Sequence, residues 1–505
     1  MADSIQKIKF PELVFGFVAP IGADLTTTVA AFRSYFERRS YRVVEIKVTD
    51  IFNVLQKYVV PHAPLEKSPL HKRYETYIAY GNQLRAKFDD AILAATSIRR
   101  VMAKRLKISR ATEEGFSRTV FLIHQFKRKE EIDLLRNVYG RLFFQVSIYS
   151  RRGARVDYLS RKFASSDHTT GHLRYRHAAE ELIQVDEDEV GKLHGQRVAR
   201  IFHDADFIAS IDSPESIETQ VNRFCELIFG SNSISPTRTE YGLFLAKAAA
   251  LRTLDLSRQV GAAIFTPNGD IVALGTNEVP RAGGGTYWSE DQFDDRDFKR
   301  KQDSNFQRKR EILAQLMAVM GSERSVDDAL ADPKIQDSQF MDALEYGRVV
   351  HAEMSALADA ARLGSSVRGG TLFCTTFPCH LCAKQIIAAG LAKVVFLEPY
   401  PKSLATDLHS DAICVEGSDR GHYQSYPCVA FEHFCGVTPR RYREIFERGK
   451  RKKDKDGSFI EYMNGEPSPI VDIKYPFYHE LEVFITSPVM KALQDYASDE
   501  EIKSP

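Results

Sequence analysis

Two short motifs in the second half of the chain constrain it more than any other feature. They are the segment His-Ala-Glu at 351–353 and the segment Pro-Cys-His-Leu-Cys at 378–382. His351, Cys379 and Cys382 supply three ligands that suit one zinc ion. Each motif opens a helical pattern that a glycine ends, and a helix start favours thiolates because of its dipole. The sequence therefore predicts one zinc ion per chain, held where two helices begin.

The chemistry of such a site explains the residue types. Three protein ligands leave the fourth position of zinc open to water, and zinc lowers the pKa of that water to about 7. Glu353 is placed to shuttle protons rather than to be the main ligand. This combination is typical of zinc-dependent nucleobase deaminases. The alternative is a closed structural zinc site, which needs a fourth ligand such as Cys374 or His380 and leaves Glu353 without a task.

Composition limits the other function classes. The 505 residues are 43% hydrophobic and 27% charged, which is typical of a globular chain. Lysine and arginine number 69 against 68 acidic residues, so no net charge draws the chain to nucleic acid or membrane. The seven cysteines have no disulfide-framework spacing, and we see neither a signal peptide nor an apolar run of membrane length. We expect a cytoplasmic protein.

The first half has the pattern of a parallel α/β domain. Helical stretches separate apolar runs that predict strands at 12–18, 41–48, 119–124, 142–149 and 206–209. The order of strand, glycine loop, helix and strand at the beginning is that of a P-loop nucleotide domain.

The predicted nucleotide loop departs from a Walker A sequence. Ala23 and Asp24 follow Gly22, where a P-loop has lysine and serine or threonine. Phosphoryl transfer is therefore not expected, although backbone N–H groups and a helix N-terminus still suit a bound phosphate. A purely structural turn is the alternative. The candidate nucleotide-binding residues are Gly16, Pro20, Ile21, Gly22, Ala23, Asp24, Leu25 and Thr26.

The second half has the pattern of a mixed α/β domain. A helical pattern at 240–259 precedes apolar runs at 260–266 and 271–276, and the Pro-Asn-Gly-Asp turn between these runs predicts a β-hairpin. Further strands are predicted at 371–375 and 393–397. Helices that bracket a mixed sheet predict an α/β/α sandwich.

Three segments lie outside this pattern. The charged, helically patterned insertion at about 289–345 is a lid, an oligomer contact or a solvated excursion. The charge run at 448–457 is typical of a flexible loop, and contact with RNA or DNA there is the less favoured alternative. We therefore expect a regulatory domain at 1–232, a zinc domain at 236–485 and a C-terminal tail at 486–505, whose last residues, SDEEIKSP, we expect to be disordered.

The second half resembles deoxycytidylate deaminases in the segments SRQVGAAIF, GTNEVPRAGG, HAEMSAL and TLFCTTFPCHLCAKQIIAAGLAKVVFL. The whole chain resembles the bacterial anti-phage dCTP deaminases, which join a P-loop, nucleotide-kinase-like domain to such a deaminase. Outside the zinc motifs, YGLFLAKAAALRTLDLSRQVGA, PYPKSLATDLHSDAI and GVTPRRYREIF are similar to that family. The resemblance implies an α/β fold class, with an N-terminal P-loop NTPase-like parallel sheet covered by helices and a C-terminal α/β/α cytidine-deaminase-like sandwich.

The resemblance also implies roles for individual residues. His351, Cys379 and Cys382 would bind zinc, and Glu353 would be the proton shuttle. Asn277 falls where these deaminases keep an asparagine that contacts the sugar or the base.

Recognition of the substrate's phosphates would draw on arginines, because the guanidinium fork can bond two oxygens at once. The candidates are Arg281, Arg440 and Arg441.

The activity that the resemblance implies is conversion of dCTP and dCMP to dUTP and dUMP, which would deplete dCTP in anti-phage defence. It also implies a small regulatory RNA as a partner. In addition, we expect a homo-oligomer and a nucleotide ligand at the N-terminal domain. Two other functions stay open, which are a polynucleotide cytosine deaminase that edits its substrate and a nucleotide- or RNA-binding regulator without turnover. The near-zero net charge favours a free nucleotide over a polynucleotide.

Overall fold

The computed structural model describes residues 7–111, 118–189, 191–449 and 452–503. The chain divides into two compact units. The first unit combines residues 1–235 with residues 435–505, and the second unit consists of residues 236–434.

Twelve strands and nineteen helices are assigned in the described residues. The strands are β1 (Leu13–Val18), β2 (Arg42–Lys47), β3 (Thr119–His124), β4 (Phe143–Tyr149), β5 (Phe207–Ser210), β6 (Gly261–Phe265), β7 (Ile271–Thr276), β8 (Thr371–Thr376), β9 (Lys393–Glu398), β10 (Ile413–Val415), β11 (Val429–His433) and β12 (Gly436–Val437). The helices are α1 (Leu25–Arg38), α2 (Val48–Leu55), α3 (Leu70–Lys87), α4 (Ile92–Ala111), α5 (Lys129–Tyr139), α6 (Arg152–Ser166), α7 (Arg176–Glu187), α8 (Val198–Ile201), α9 (Ile217–Ile228), α10 (Arg238–Ala250), α11 (Asp297–Arg300), α12 (Ser304–Val319), α13 (Val326–Leu330), α14 (Pro333–Gln336), α15 (Ala352–Arg362), α16 (His380–Ala388), α17 (Ala405–Leu408), α18 (Tyr442–Phe446) and α19 (Tyr478–Lys503). In the described part of the chain, none of these helices is both long enough and apolar enough to span a bilayer.

The first unit is built on a six-stranded sheet in the order β12-β5-β4-β1-β3-β2. Strands β1 to β5 are parallel, and β12 runs antiparallel to β5. Strands β1 and β3 are buried along their whole length, as expected of parallel strands covered by helices on both faces. Apolar runs in the sequence predicted the five parallel strands of this sheet to within one residue at each end, whereas β12 was not predicted.

The C-terminal segment does not follow the predicted domain boundary at residue 485. Strand β12 pairs with β5, and α19 packs against α4 and α5, so the structure groups residues 435–503 with the first unit. Helix α19 also covers most of the predicted tail, and residues 504–505 lie outside the described residues. The physical reason is burial, because Leu493 is fully buried and Glu482 accepts a 2.9 Å hydrogen bond from Arg105.

The second unit is an α/β/α sandwich around a six-stranded mixed sheet in the order β10-β11-β9-β8-β6-β7. Strand β6 is antiparallel to β7 and β8, whereas β8, β9, β11 and β10 are parallel. In β8, Leu372 and Cys374 share a core with residues of α15 and α16, and Phe373 between them packs against Gly242 of α10. Because alternate residues of a strand face opposite sides, α10 covers one face and α15 and α16 cover the other. The expected α/β fold class is confirmed.

The helix predicted at 240–259 is shorter in the structure. Helix α10 ends at Ala250, and the chain then follows an irregular path. Side chains in that path bond to the backbone instead of continuing a helix, since the Thr253 hydroxyl donates to the Asn277 carbonyl and accepts from the Asp255 N–H. The irregular segment delivers residues to the cavity described below.

Candidate active site

The three predicted zinc ligands lie together in the second unit. His351 Nδ1 is 3.3 Å from Cys379 Sγ and 3.4 Å from Cys382 Sγ, and the three ligand atoms lie within 4.8 Å of one another. Tetrahedral zinc, with its usual bond lengths, separates a nitrogen ligand from a sulfur ligand by about 3.5 Å. The spacing and the chemistry of these donors therefore fit a zinc ion.

Two helix starts hold these ligands. His351 is the residue before α15, and Cys379 is the residue before α16, with Cys382 in its first turn. Helix α15 packs closely on β7, where a Cβ atom added to Gly275 would lie 2.0 Å from the Ala352 carbonyl oxygen. Only glycine allows this approach, so Gly275 fixes the depth at which His351 enters the site.

The electrostatic environment of Cys379 favours its thiolate form. The hydrogen bond from Cys382 lowers the pKa of Cys379, and His351 lowers it further. Burial alone would lower the pKa of His351, but the hydrogen bond and charge of Cys379 outweigh burial and raise it. Zinc binds cysteine as the thiolate, and Cys379 provides that form, whereas the hydrogen bond to Cys379 and burial raise the pKa of Cys382.

Glu353 lies in the first turn of α15, beside the three ligands rather than among them. Its side chain is buried, and Oε2 is 3.4 Å from Cys382 Sγ. Burial raises the pKa of Glu353, and the negative charge of Cys379 adds to the effect. A buried carboxyl group at this position can take up a proton and release it again.

The structural-zinc alternative lacks a fourth ligand among the described residues. Cys374 points its thiol at the Val395 carbonyl oxygen, 3.8 Å away. His380 Nε2 is 3.6 Å from Glu345. Neither side chain belongs to the ligand cluster, which leaves one coordination position open.

A cavity of about 310 Å³ opens onto this cluster, and we call it the His351 cavity. Its walls include His351, Cys379 and Glu353, together with two cations, Arg258 and Lys309. Sequence reasoning missed both cations. The position of Arg258 just before strand β6, in the quoted segment SRQVGAAIF, was a usable signal, whereas Lys309 had none.

Asn277 lines the His351 cavity, and three of the four hydrogen bonds that its amide can make go to the protein. Its Oδ1 accepts a 2.7 Å hydrogen bond from the Val260 N–H, and its Nδ2 donates to Asp255 and to the Arg258 carbonyl oxygen, both at 2.8 Å. Asn277 therefore holds the irregular segment after α10 against the cavity. Its contact with a sugar or base stays a prediction.

The three arginines predicted at the substrate's phosphates are engaged elsewhere. Arg281 is half-exposed, pairs with Asp291 at 2.6 Å and is absent from the described walls of the His351 cavity. Arg440 and Arg441 belong to the first unit, where they lie 3.8 and 3.6 Å from Asp206. Burial raises the pKa of Asp206 and these arginines oppose that rise, so their position is explained by the buried carboxylate.

The insertion at 289–345 forms part of the cavity wall. It contains α11 to α14 and contributes lining side chains that include Asp297, Asp303 and Lys309. Arg296 and Glu278 form a buried ion pair at 3.3 Å, and Arg348 bonds to Asp297 at 2.8 Å. These contacts tie the insertion to the body of the second unit.

The predicted nucleotide loop lines a different cavity, of about 470 Å³, in the first unit, which we call the Gly22 cavity. Gly16 lies inside β1, where an added Cβ would be 2.7 Å from the Phe143 ring, so it serves packing. Gly22 has a φ of +90°, and an added Cβ would lie 2.8 Å from the Arg155 carbonyl oxygen. The candidates that line the cavity are Pro20, Ile21, Gly22, Ala23, Asp24, Leu25 and Thr26.

Known proteins are similar to part of this chain, and the matching family model lies within the second unit. Residues 236–398 match the family described as the cytidine and deoxycytidylate deaminase zinc-binding region. The deoxycytidylate deaminase of Enterobacteria phage T2 is 46% identical over 54 residues, which are 11% of this chain and only 29% of the phage protein. The probable deoxycytidylate deaminase of Drosophila melanogaster is 30% identical over 181 residues, which are 35% of this chain and 69% of that protein. The crystal structure of dCMP deaminase from the cyanophage S-TIM5 in apo form is 20% identical and aligns with 40% of this chain and 100% of its own, with a TM-score of 0.22.

Proposed function

Because the chain belongs to the cytidine and deoxycytidylate deaminases, we propose that it removes the exocyclic amine of a free deoxycytidine nucleotide by hydrolysis. The observation that carries the proposal is the cluster of His351, Cys379 and Cys382, of which His351 and Cys379 share the wall of one cavity with buried Glu353. A closed structural metal site would have a fourth protein ligand and would not need a proton carrier such as Glu353.

The three ligands would hold zinc, which when bound supplies the Lewis acidity that makes water a nucleophile near neutral pH. Glu353 takes a proton from the attacking water at its carboxylate. It then delivers protons to the ring nitrogen and to the departing amine. The water oxygen bonds to the ring carbon that carries the exocyclic amine. The bond from that carbon to the exocyclic nitrogen breaks, and ammonia leaves.

Arg258 is our candidate for the substrate's phosphate. Its guanidinium lies over the Tyr400 ring at 5.1 Å, and both side chains line the His351 cavity. Within the described residues, Arg258 has no carboxylate within ion-pair distance, so its charge is available to a ligand. A guanidinium held by an aromatic ring is preorganised to bond phosphate oxygens.

We propose dCMP and dCTP as the substrates, with dUMP and dUTP as products. Depletion of dCTP in anti-phage defence is the biological role that the sequence resemblance favours. The small regulatory RNA stays a prediction of the same resemblance, and the homo-oligomer also stays a prediction.

The test is ammonia release by the purified full chain, supplied with zinc, from dCMP, dCTP, deoxycytidine, and single-stranded DNA and RNA. We expect release from the mononucleotides and none from the Glu353→Gln variant. Release from a polynucleotide but from neither mononucleotide would favour the editing alternative. A protein that binds one zinc ion but acts on none of these would favour the regulator without turnover.

A further inference from the structure

Helix α19 exposes large apolar side chains on the face that points away from the first unit. Its inner face packs against α4 and α5. The opposite face, which we call the outer face of α19, carries Phe477, Leu481, Phe484 and Pro488, and the two phenylalanines are 65% and 74% exposed. These four residues follow the spacing i, i+4, i+7 and i+11, which places them on one side of a helix. A helix that is apolar on both faces is typically buried on both, so the outer face has the pattern of a covered surface.

Other exposed apolar side chains adjoin the outer face. Val483, which is next to Phe484, is exposed, and so is Leu106 of α4. Both line a groove of about 450 Å³ between α4 and α19. Single exposed apolar residues are ordinary, but a group of them is typical of a protein–protein contact.

Two opposite charges lie on the same side of the helix. Glu480 and Lys491 are both exposed and are eleven residues apart, which is about three helical turns. Within the described residues, Lys491 forms no ion pair, and the Glu480 carboxylate accepts one hydrogen bond, at 3.4 Å from the Tyr475 hydroxyl. Both charges are therefore available to a partner that lies along the outer face.

The spacing of these charges is complementary to itself. Positions 480 and 491 are equally far from the point between residues 485 and 486. If two copies of α19 pack antiparallel around a twofold axis at that point, Glu480 of each copy faces Lys491 of the other. Phe484 then faces the small side chain of Ser487 in the other copy. A twofold contact uses the same patch on both partners, so a second copy of this chain supplies the complementary charge at the required position.

We propose that the outer face of α19 is an interface through which two copies of this chain pair, with the helices antiparallel. Leu481 and Phe484 form its apolar centre, and Glu480 pairs with Lys491 at each end. The expectation of a homo-oligomer named no surface, whereas this proposal assigns one. It does not rest on the deaminase activity, because α19 belongs to the first unit and these residues do not line the His351 cavity.

Sedimentation equilibrium of the full chain measures whether the outer face pairs. We expect particles of two chains or of a multiple of two, and Phe484→Glu should weaken the pairing at least about 30-fold, the scale of a central interface residue. The substitution removes the ring and places a carboxylate in an apolar contact. Val319→Glu is the matched control, because Val319 is 87% exposed on α12 of the second unit, and it should leave the mass unchanged. A monomeric unaltered chain would overturn the proposal, and so would equal pairing of Phe484→Glu and the unaltered chain.

An exchange of charges tests both the identity of the partner and the alignment of the two helices. Glu480→Lys and Lys491→Glu each place like charges opposite one another, so each should weaken the pairing about tenfold. The double variant Glu480→Lys/Lys491→Glu restores opposite charges and should pair as the unaltered chain does. A double variant that pairs no better than either single variant would overturn the antiparallel contact. Circular dichroism of each variant checks that it is folded, and the measured quantity is mass, so failure of the proposed deamination would leave this test unaffected.

Discussion

The His351 cavity and the Gly22 cavity differ in how their polar groups are satisfied. Around the His351 cavity, the Asn277 amide oxygen and both of its N–H groups bond to the protein, and His351 contacts both cysteine ligands. Around the Gly22 cavity, His124 Nε2 and Gln196 Oε1 have no partner within the described residues. The polar groups named around the first cavity are bonded to other protein groups, whereas the two named around the second are not bonded to any described residue.

The two cavities also differ in how far apart their residues lie in the sequence. Four reactive residues of the first come from two short motifs, because a metal and a proton shuttle must lie within a few ångströms of one another. The wall of the second comes from strands and helices that are far apart in sequence, including α3, α6 and β3. A metal site of this kind therefore leaves a local motif in the sequence. A cavity such as the Gly22 cavity, whose walls come from distant segments, leaves none.

The largest expected effect tests whether zinc completes the His351 cavity. Cys379→Ala removes a ligand at the start of α16, so bound zinc should fall from about one ion per chain to nearly none and activity should be lost. Metal analysis by mass spectrometry and ammonia release measure the two effects. Cys435→Ala, a cysteine outside the cluster, is the control and should keep its zinc. Full zinc occupancy in Cys379→Ala would contradict the ligand assignment.

Glu353→Gln should separate chemistry from metal binding in the same cavity. The amide cannot carry the proton, so the rate should fall at least about 100-fold, while zinc stays at about one ion per chain. The measurements are kcat for dCMP and zinc content. Loss of zinc from this variant would mean that Glu353 is a zinc ligand. The separate assignment of metal binding and proton transfer to different residues would then be wrong.

Much of the fold followed from the sequence because its signals were local. Apolar runs predicted β1 to β9 closely, and the Pro-Asn-Gly-Asp turn marked the β6–β7 hairpin. Strands β10 and β12 have only three and two residues, too few to show a pattern. The place of α19 depends on distant contacts, such as that of Glu482 with Arg105, which no local pattern reveals.

The residues of the candidate active site also fall into two groups, those that local motifs predict and those that only the fold brings together. His351, Cys379 and Cys382 were predicted from their spacing, and the structure brings them together. Arg258 and Lys309 were missed, because only the fold brings the insertion and the segment after α10 to one cavity. Arg440 and Arg441 were chosen for their residue type, but the buried carboxylate of Asp206 accounts for where they lie.

The unsatisfied histidine of the Gly22 cavity predicts a pH-dependent stability. Glu45, Lys47 and Asp50 lie near His124, but burial dominates and lowers its pKa from 6.5 to about 4. The unfolded chain therefore binds a proton first, and stability should fall as the pH falls from 6.5 towards 4. The loss between pH 7 and pH 5 is about 2 kcal/mol.

Urea unfolding of the unaltered chain and of His124→Phe at both pH values measures this effect. The variant has no imidazole to protonate, so its stability should fall by about 2 kcal/mol less over the same range. Comparison of the two chains cancels the contributions of the titrating groups that do not interact with His124. An identical pH dependence would mean that His124 is not held neutral by burial, and the contrast between the two cavities would weaken.

The smallest effect concerns the phosphate of the substrate in the His351 cavity. Arg258→Ala removes a cation that lies over Tyr400 and has no ion-pair partner within the described residues, so kcat/KM for dCMP should fall about tenfold, equivalent to about 1.4 kcal/mol. The loss should appear mainly in KM, and turnover of deoxycytidine, which has no phosphate, should change less. Arg281→Ala is the matched control, because Arg281 is paired with Asp291 and does not line the cavity. If Arg281→Ala lost more activity than Arg258→Ala, the sequence-based choice of Arg281 would be restored, and the phosphate would have to be bound outside the cavity that contains Glu353.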